Sequence, residues 1–246
     1  EYANLANNSW CIKELGYATM YAKQSLPFYM VLKASGGQYA LIHLASEQFM
    51  DVNDRPLRDV PEDLAKILTK IDFDIAVKMV YKGMITNVPQ EVIDYIAADP
   101  ERSVEYAKKV TRYRFPEGEA AIATSAEWSF KYAKYAIKER FPEGEAAIAT
   151  SAEYSYNYAS VFSIFSMKEG FPEGEKEIVT SAKWSSRYAQ DVIQGRFPAG
   201  EAAIATSAEF SYEYAKNAIE GRFPEGEKII ATDPGVSYTY AQEVIN

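Results

Sequence analysis

The sequence contains a single cysteine, Cys11, and a single histidine, His43, among 246 residues. One cysteine excludes a disulfide within the chain and is typical of a protein kept in a reducing compartment. One cysteine and one histidine are also too few for a zinc site of the usual Cys/His kind. We therefore predict that the protein holds no metal and no cofactor, and that a hydrophobic core stabilises it.

Other signatures are also missing from the sequence. No apolar run of roughly 18 residues or more occurs, so we expect neither a transmembrane helix nor a membrane partner. The first residues lack the basic and apolar regions of a signal peptide. Because Glu1 is not a natural start residue, we expect truncation or processing at this end. A glycine-rich phosphate loop, an HExxH motif and a GxSxG motif are all absent, which disfavours the enzyme classes that depend on them.

The net charge is −9, and almost all of the acidic excess lies in residues 141–246. An acidic surface repels a phosphate backbone, so we expect no direct binding of nucleic acid. The same surface is suited to a basic protein partner. It is also suited to imitating nucleic acid towards a protein that binds nucleic acid.

Internal repetition is the strongest signal in the sequence. A Phe-Pro pair followed by x-Gly-Glu occurs five times, beginning at Phe115, Phe141, Phe171, Phe197 and Phe223. Two degenerate copies carry Pro61 and Pro89, and the copies follow one another at steps of 26 to 30 residues. Seven copies then cover residues 60–246.

Each copy predicts two helices. Proline suits the first turn of a helix, so Pro116 begins a short first helix that extends to Ala123. Thr124, followed three residues later by Glu127, matches a capping box and predicts the start of a longer second helix. The glycines expected to end second helices in a left-handed cap are Gly170, Gly195 and Gly221.

The second helix repeats a tyrosine followed by an alanine, as in Tyr132-Ala133. The alanine lets neighbouring helices approach, and the tyrosine adds contact area and a hydroxyl that needs a partner when buried. This pattern predicts a mainly α fold, an α-solenoid of about seven helical hairpins. The aromatic residues that we expect to form its binding surface are Trp128, Tyr154, Trp184, Phe210, Phe162 and Phe165.

Two copies are four residues longer than the others, after Ala76 and after Ala159. Four residues make about one helical turn, so these second helices should protrude by a turn or bend the array. The apolar run at residues 161–167 in the second of them is either extra packing or an exposed binding patch. Packing is the preferred interpretation, because large exposed apolar patches are uncommon.

Residues 1–59 do not fit the repeat. The runs 28–34 and 38–44 are rich in β-forming residues, and Ser35-Gly36-Gly37 between them predicts a β-hairpin. A helix is expected over residues 14–25. We therefore predict two domains, a small α/β module at 1–59 and the helical repeat array at 60–246.

Two stretches carry a resemblance to known proteins. Asn-Ser-Trp-Cys-Ile at 8–12, the predicted hairpin and His-Leu-Ala-Ser-Glu-Gln-Phe-Met-Asp at 43–51 resemble uncharacterised tailed-bacteriophage proteins. Those proteins have a Trp-Cys-Thr motif, a strand pair and a Gln-Phe-Met-Asp-like segment; here Ile12 replaces the threonine. The Arg-Phe-Pro-Glu-Gly-Glu units resemble repeats of phage and prophage proteins. The resemblance implies a viral setting, in the bacterial host cytoplasm or in the virion, and implies little chemistry.

Cys11, His43 and Asp51 all fall in the N-terminal module. Such a set can perform acyl transfer, with the histidine generating the thiolate and the acid orienting the histidine. The simpler interpretation is a buried structural cysteine, since free cysteine usually behaves as a small apolar residue.

The leading functional hypothesis is a phage-type protein-binding repeat scaffold that engages or inhibits a host factor. Its partner is expected to be a host or phage protein. The alternatives are a cysteine-dependent hydrolase or transferase in residues 1–59, an acidic nucleic-acid mimic formed by residues 141–246, and a structural protein of the virion.

Overall fold

A computed structural model describes residues 28–32, 39–43, 48–50, 55–56, 60, 62–162 and 170–245. This part of the chain is mainly helical, with 14 α-helices. The chain divides into two compact units, residues 1–96 and residues 97–246. The domain boundary at residues 59 and 60 stays a prediction.

Three short antiparallel strands lie in the first unit, in the order β1-β2-β3. They are β1 Phe28–Leu32, β2 Tyr39–His43 and β3 Gln48–Met50. The turn predicted at 35–37 and the helix predicted at 14–25 lie outside the described residues. The N-terminal module as a whole therefore stays a prediction.

The helices of the first unit are α1 Glu62–Ile71, α2 Phe73–Tyr81 and α3 Gln90–Ala97. The side chain of Asp72 caps α2 by accepting hydrogen bonds from the amides of the next turn. The extra residues of this copy do not lengthen α2, so the predicted protruding turn is wrong here, and the alternative of a local bend stays a prediction. Instead Gly83, with a left-handed φ of 70°, turns the chain after Tyr81, and the extra residues form the connection to α3.

Short first helices and second helices alternate in the second unit. The first helices are α5 Pro116–Ile122, α7 Pro142–Ile148, α9 Pro172–Ile178, α11 Pro198–Ile204 and α13 Pro224–Ile230. The second helices are α4 Pro100–Tyr106, α6 Ala126–Lys131, α8 Ala152–Phe162, α10 Ala182–Tyr188, α12 Ala208–Asn217 and α14 Pro234–Tyr240. Each first helix packs against the second helix that precedes it, and neighbouring second helices pack side by side.

Four second helices continue into a wider π-helical turn, with five or six residues in each segment. These segments are Ala107–Thr111, Tyr132–Ile137, Ala189–Ile193 and Ala241–Ile245. In the longer copy after Ala159, the described part of the second helix is α8, which has no π-helical segment. Residues 163–169 of this copy lie outside the described residues, so the prediction of a protruding turn or a bend is not tested there.

The second helices begin one residue later than the capping box predicts. The N-cap of α6 is Ser125, whose hydroxyl oxygen accepts a hydrogen bond from the amide of Trp128 at 3.4 Å. Thr124 instead closes the first helix by donating its hydroxyl to the carbonyl of Ala121 at 2.7 Å. Glu127 is therefore one position too early to complete a capping box. The prolines that begin the first helices are confirmed.

The left-handed caps are wrong at two of the three predicted glycines. Gly170 has a left-handed φ of 88°, but it stands directly before Phe171, and the end of its second helix lies outside the described residues. The left-handed residues of the other two copies are Gln194 and Glu220, with φ of 55° and 49°, one position before the predicted glycines. The wide last turn explains the shift, because the amide of Gly195 closes onto the carbonyl of Ala189 at 3.2 Å.

The core of the second unit repeats from hairpin to hairpin. Each hairpin buries a phenylalanine before the first helix, an isoleucine at its end and a tyrosine of the second helix, and all hairpins but the last also bury a serine and an alanine of the second helix. The tyrosines with 0% exposure are Tyr132, Tyr158, Tyr188 and Tyr214. These tyrosines therefore belong to the core.

Candidate protein-binding surface

An arginine, a glutamate and a tyrosine meet within a hairpin, and we call this arrangement the clasp. Around α7 and α8, the hydroxyl of Tyr158 donates to Glu145 at 2.7 Å and accepts from the amide of Phe141 at 2.9 Å. Arg140 donates two hydrogen bonds of 2.8 Å to the same carboxylate. The clasp ties the chain before each first helix to the middle of the second helix.

The clasp recurs along the second unit. Its other tyrosine–glutamate pairs are Tyr132–Glu119, Tyr188–Glu175, Tyr214–Glu201 and Tyr240–Glu227. Gly170 stands where the other copies have the arginine. The clasp was not predicted from the sequence. The signal that reveals it is the constant spacing, five residues from arginine to glutamate and 13 from glutamate to tyrosine.

The pKa values of two clasp residues, Tyr214 and Glu227, are shifted so that the tyrosine stays protonated and the glutamate stays charged. Burial raises the pKa of Tyr214 to about 12, and the hydrogen bond that it donates to Glu201 acts in the same direction. Hydrogen bonding from Arg222 lowers the pKa of Glu227 below its ordinary value. Neither group changes its protonation near neutral pH, so the clasp holds the hairpin together and is not suited to proton transfer.

We expect Tyr214→Phe to lower the free energy of unfolding by about 2 kcal/mol, because the buried amide of Phe197 and the carboxylate of Glu201 lose a partner. Urea unfolding measures the loss. Tyr135→Phe is the matched control, since Tyr135 is 49% exposed and its replacement should change stability by less than about 0.5 kcal/mol.

The same variant tests the pH dependence of stability. An unfolded tyrosine loses its proton near about pH 10, whereas the pKa of folded Tyr214 is about 12. The stabilisation is complete below the lower value and is lost as pH rises through the window between the two. Tyr214→Phe should therefore lose less stability than the unaltered protein over this window, and an identical loss would contradict the role of the clasp.

Four of the predicted binding residues occupy the same position on successive second helices, three residues after the N-cap serine. We call this set the outer row, and it consists of Trp128, Tyr154, Trp184 and Phe210. All four side chains are half-buried, so each presents part of its ring to solvent. The outer row is the part of the second helices where large aromatic surface remains accessible at regular intervals.

Aromatic contacts connect the outer row across neighbouring helices. The ring of Phe130 lies 6.0 Å from Tyr154, and the ring of Tyr156 stacks on Trp184 at 5.2 Å with an interplanar angle of 29°. Tyr156 also donates its hydroxyl to Asp191 on the same neighbouring helix, at 2.5 Å. These contacts hold the outer row in a fixed arrangement without burying it completely.

Cations lie over the tryptophan faces of the outer row. The Lys131 Nζ is 4.1 Å from the ring centroid of Trp128, and the Lys183 Nζ is 4.2 Å from that of Trp184. The Arg187 guanidinium is 5.5 Å from the Trp184 ring. Aromatic area with adjacent cations is the composition typical of protein interfaces, where aromatic residues and arginine are enriched.

The other predicted site residues do not join the outer row. Phe162 is 6% exposed and its ring packs against Tyr158 at 4.9 Å, so it belongs to the core and not to a binding surface. Phe165, Cys11 and Asp51 lie outside the described residues. His43 ends β2, where its backbone pairs with Phe28 and Gln48. The catalytic set therefore stays a prediction.

Three tyrosines outside the predicted binding set are exposed, namely Tyr113, Tyr135 and Tyr238 at 57%, 49% and 66% exposure. They stand away from the outer-row position, and no periodicity in the sequence marks them as exposed. In the first unit, a pocket of about 440 Å³ is lined by Lys66, Thr69, Lys70, Phe73 and Glu91.

Among the described residues, no three His, Cys, Asp or Glu side chains are grouped so that they could hold a metal ion. No described helix has the length and apolar character needed to cross a membrane. Comparison of the chain with protein-family models, with curated proteins and with solved structures found no match. The functional assignment therefore depends on the chemistry of the surface itself.

Proposed function

We propose that residues 97–246 act as a phage-type protein-binding scaffold, which engages or inhibits a host or phage protein through the outer row. The observation that carries this proposal is the recurrence of a half-buried aromatic side chain at one position of four successive second helices. Repeat proteins commonly bind partners on a surface built from equivalent positions of successive repeats. Tryptophan and tyrosine are also the residues that most often dominate the energy of a protein interface.

Variation between the copies supports a binding role for the outer row. The core tyrosine and alanine are the same in all six second helices of this unit, and the tyrosine is buried in each of them. At the outer-row position the four central copies have Trp, Tyr, Trp and Phe, while the flanking copies have Arg102 and Val236. A position that served only to fill the core would keep one size, whereas a surface that matches an irregular partner changes from copy to copy.

The charges around the outer row indicate the chemistry of the partner. Glu127, Glu153 and Glu209 precede three of the aromatic residues, whereas Lys183 precedes Trp184. Together with Arg187, this lysine places two cations at the ring of Trp184 on an otherwise acidic molecule. We infer a partner that places apolar side chains over the rings, an acidic side chain opposite Lys183 and Arg187, and basic side chains on either side.

The proposed setting follows the phage resemblance of the repeats. A scaffold of this kind would work in the cytoplasm of the infected bacterium, or as part of the virion. In either setting the partner is a protein, since the acidic excess of residues 141–246 opposes contact with nucleic acid.

The test uses a photo-crosslinking amino acid in place of Trp184 to capture a partner from bacterial lysate, followed by binding measurements with the purified pair. We expect the variant Trp128→Ala/Trp184→Ala to bind at least about tenfold more weakly, because aromatic anchors at interfaces contribute upwards of about 1.4 kcal/mol. Circular dichroism establishes that the variant stays folded.

Tyr113→Ala is the matched control, since it removes an aromatic side chain that is 57% exposed but lies off the outer row. It should leave the affinity unchanged. If both variants weaken the affinity equally, or if neither variant weakens it, binding through the outer row is refuted. An affinity that decreases steeply with added salt, and that neither variant changes, would instead favour the acidic nucleic-acid mimic.

A further inference from the structure

The first two second helices of the second unit end in a cationic surface. Helix α4 continues into Ala107–Thr111 and α6 into Tyr132–Ile137, and these two segments pack side by side. The chain that follows them also adjoins, because Arg114 Nη1 lies 4.0 Å from the carboxylate of Glu139. We call the surface at these two helix ends the basic face, and it consists of Lys109, Arg112, Tyr113, Lys134, Tyr135 and Lys138.

The cations at these helix ends outnumber the acidic residues beside them. Glu105 accepts ion pairs from both Lys108 and Lys109, at 2.7 and 2.8 Å. Arg112 and Lys138 are exposed, and within the described ranges no hydrogen bond or ion pair holds either side chain. The basic face therefore keeps a positive charge that is open to solvent.

Two exposed tyrosines lie among these cations. Tyr113 directly follows Arg112, and the Lys134 Nζ lies 5.1 Å from the ring centroid of Tyr135. These tyrosines are two of the four large hydrophobic side chains that the described residues expose. An exposed aromatic ring next to cations offers a stacking surface beside a binding place for anionic groups.

The later copies show that the repeat itself does not require this composition. The left-handed residues equivalent to Arg112 and Lys138 are Gln194 and Glu220. The later residues at the positions of Lys109, Tyr113 and Tyr135 are Asp191, Asn217, Gly195 and Gly221. The end of a helix favours a nearby cation, but the same helix end also accepts glutamine and glutamate. Packing of the hairpins therefore does not explain the cations and rings of the basic face.

We propose that the basic face binds single-stranded nucleic acid, with its cations on the phosphates and its two tyrosine rings stacked on unpaired bases. Cations combined with exposed aromatic rings are the composition that such sites share, because the strand is anionic and every base has a flat face. A duplex hides those faces within its own stack, and an acidic peptide has carboxylates but no bases for the rings.

The net charge of the molecule alone predicts no contact with nucleic acid, but local charge determines a site. Almost all of the acidic excess lies in residues 141–246, after the basic face in the chain. The basic face also contains no residue of the outer row. Binding of nucleic acid is therefore a second and separate interaction of the array.

Fluorescence anisotropy of the full chain with a labelled oligothymidylate of about 12 nucleotides tests the proposal. We expect saturable binding, which Arg112→Gln/Lys138→Gln weakens at least about fivefold because two phosphate contacts are lost. The slope of log affinity against log salt should fall by about 1.4, since each phosphate contact contributes about 0.7. This variant should fold, because Gln194 adopts the same left-handed backbone with a φ of 55°.

The matched charge control is Lys176→Gln/Lys228→Gln. It removes the same charge from two exposed lysines on first helices of later copies, away from the basic face. We expect this control to bind the oligonucleotide normally. If the two charge variants weaken binding equally, only the net charge matters and the proposal is overturned.

Tyr113→Ala/Tyr135→Ala should weaken binding at least about tenfold, because two stacked bases lose their ring partners. Tyr113→Phe/Tyr135→Phe keeps both rings and should bind normally. The comparison distinguishes stacking on the rings from hydrogen bonding by the tyrosine hydroxyls. Circular dichroism establishes that each variant stays folded.

Absence of saturable binding would overturn the proposal. Equal affinity for the same oligonucleotide in a duplex would also overturn it, because unpaired bases would then not be recognised. Equal affinity for a polyglutamate peptide of the same charge would assign the basic face to an acidic protein instead. The variant Trp128→Ala/Trp184→Ala should bind the oligonucleotide normally, so failure of the basic face and failure of the outer row are distinguishable.

Discussion

Replacing Phe141 with alanine should lower the free energy of unfolding by about 4 kcal/mol. The side chain has 0% exposure, and its ring lies 5.0 Å from that of Tyr132 in an edge-on contact between two hairpins. Alanine removes the ring and leaves a cavity that the surrounding helices cannot fill, because Tyr132 and Gly144 are held from other sides. Urea unfolding followed by circular dichroism measures the loss.

Tyr113→Ala provides the control for this experiment. Tyr113 is also aromatic, but it is 57% exposed, and its removal should change the free energy of unfolding by less than about 0.5 kcal/mol. The stability of a repeat array is largely the sum of the stabilities of its repeats and of the interfaces between neighbouring repeats. Hydrogen exchange should therefore show the loss concentrated in α6, α7 and α8, and uniform deprotection of the second unit would contradict this packing scheme.

Gly144→Ala should be the next most damaging substitution, at about 3 kcal/mol. The added Cβ would lie 2.5 Å from the hydroxyl oxygen of Ser129 and 2.5 Å from a ring carbon of Phe141. Ser129 has 0% exposure and donates its hydroxyl to the carbonyl of Ile122 at 2.9 Å, so it cannot move aside without losing that bond. A loss of stability would be informative, because alanine is a better helix former than glycine by about 1 kcal/mol. Helix propensity alone would therefore predict a gain in the free energy of unfolding.

Gly195→Ala is the matched glycine variant. No heavy atom lies within 4 Å of the Cβ that the substitution adds. It should leave stability unchanged or raise it by up to about 1 kcal/mol, through a less flexible unfolded chain. Thermal unfolding of the two variants side by side distinguishes a packing clash at Gly144 from a general effect of replacing glycine. An equal loss of stability in both variants would show that close helix packing is not what requires Gly144.

Much of the helical arrangement was predictable from local chemistry. A proline at the first helical position restricts the backbone in the same way in any context, so Pro116 and its equivalents mark the starts of the first helices correctly. Asp99 and Asp233, each directly before a proline, cap their helices by accepting hydrogen bonds from amides of the first turn. The cap at Ser125 was missed, because Thr124 and Ser125 are both good caps and only the closing turn of the preceding helix decides between them.

The outer row could be predicted only in part. Spacing on a helix places Trp128 and its equivalents at one angular position, and this was enough to choose four of them. Spacing alone cannot say whether Trp128 or Tyr132 faces the core, and the structure shows that Tyr132 is buried whereas Trp128 is half-buried. Phe162 was placed on the surface for the same reason, whereas it packs on Tyr158.

The sequence by itself determined the repeat, its period, the alternation of short and longer helices, and the small residues that allow close packing. These features depend on interactions within a few residues of one another, which a sequence displays directly. Only the tertiary structure decided that the glutamates of the Phe-Pro-x-Gly-Glu units hold a tyrosine and an arginine, that each glycine faces a serine of the preceding hairpin, and which aromatic rings stay accessible. Those choices depend on packing between hairpins, where burial and contact distance are set by residues far apart in the chain.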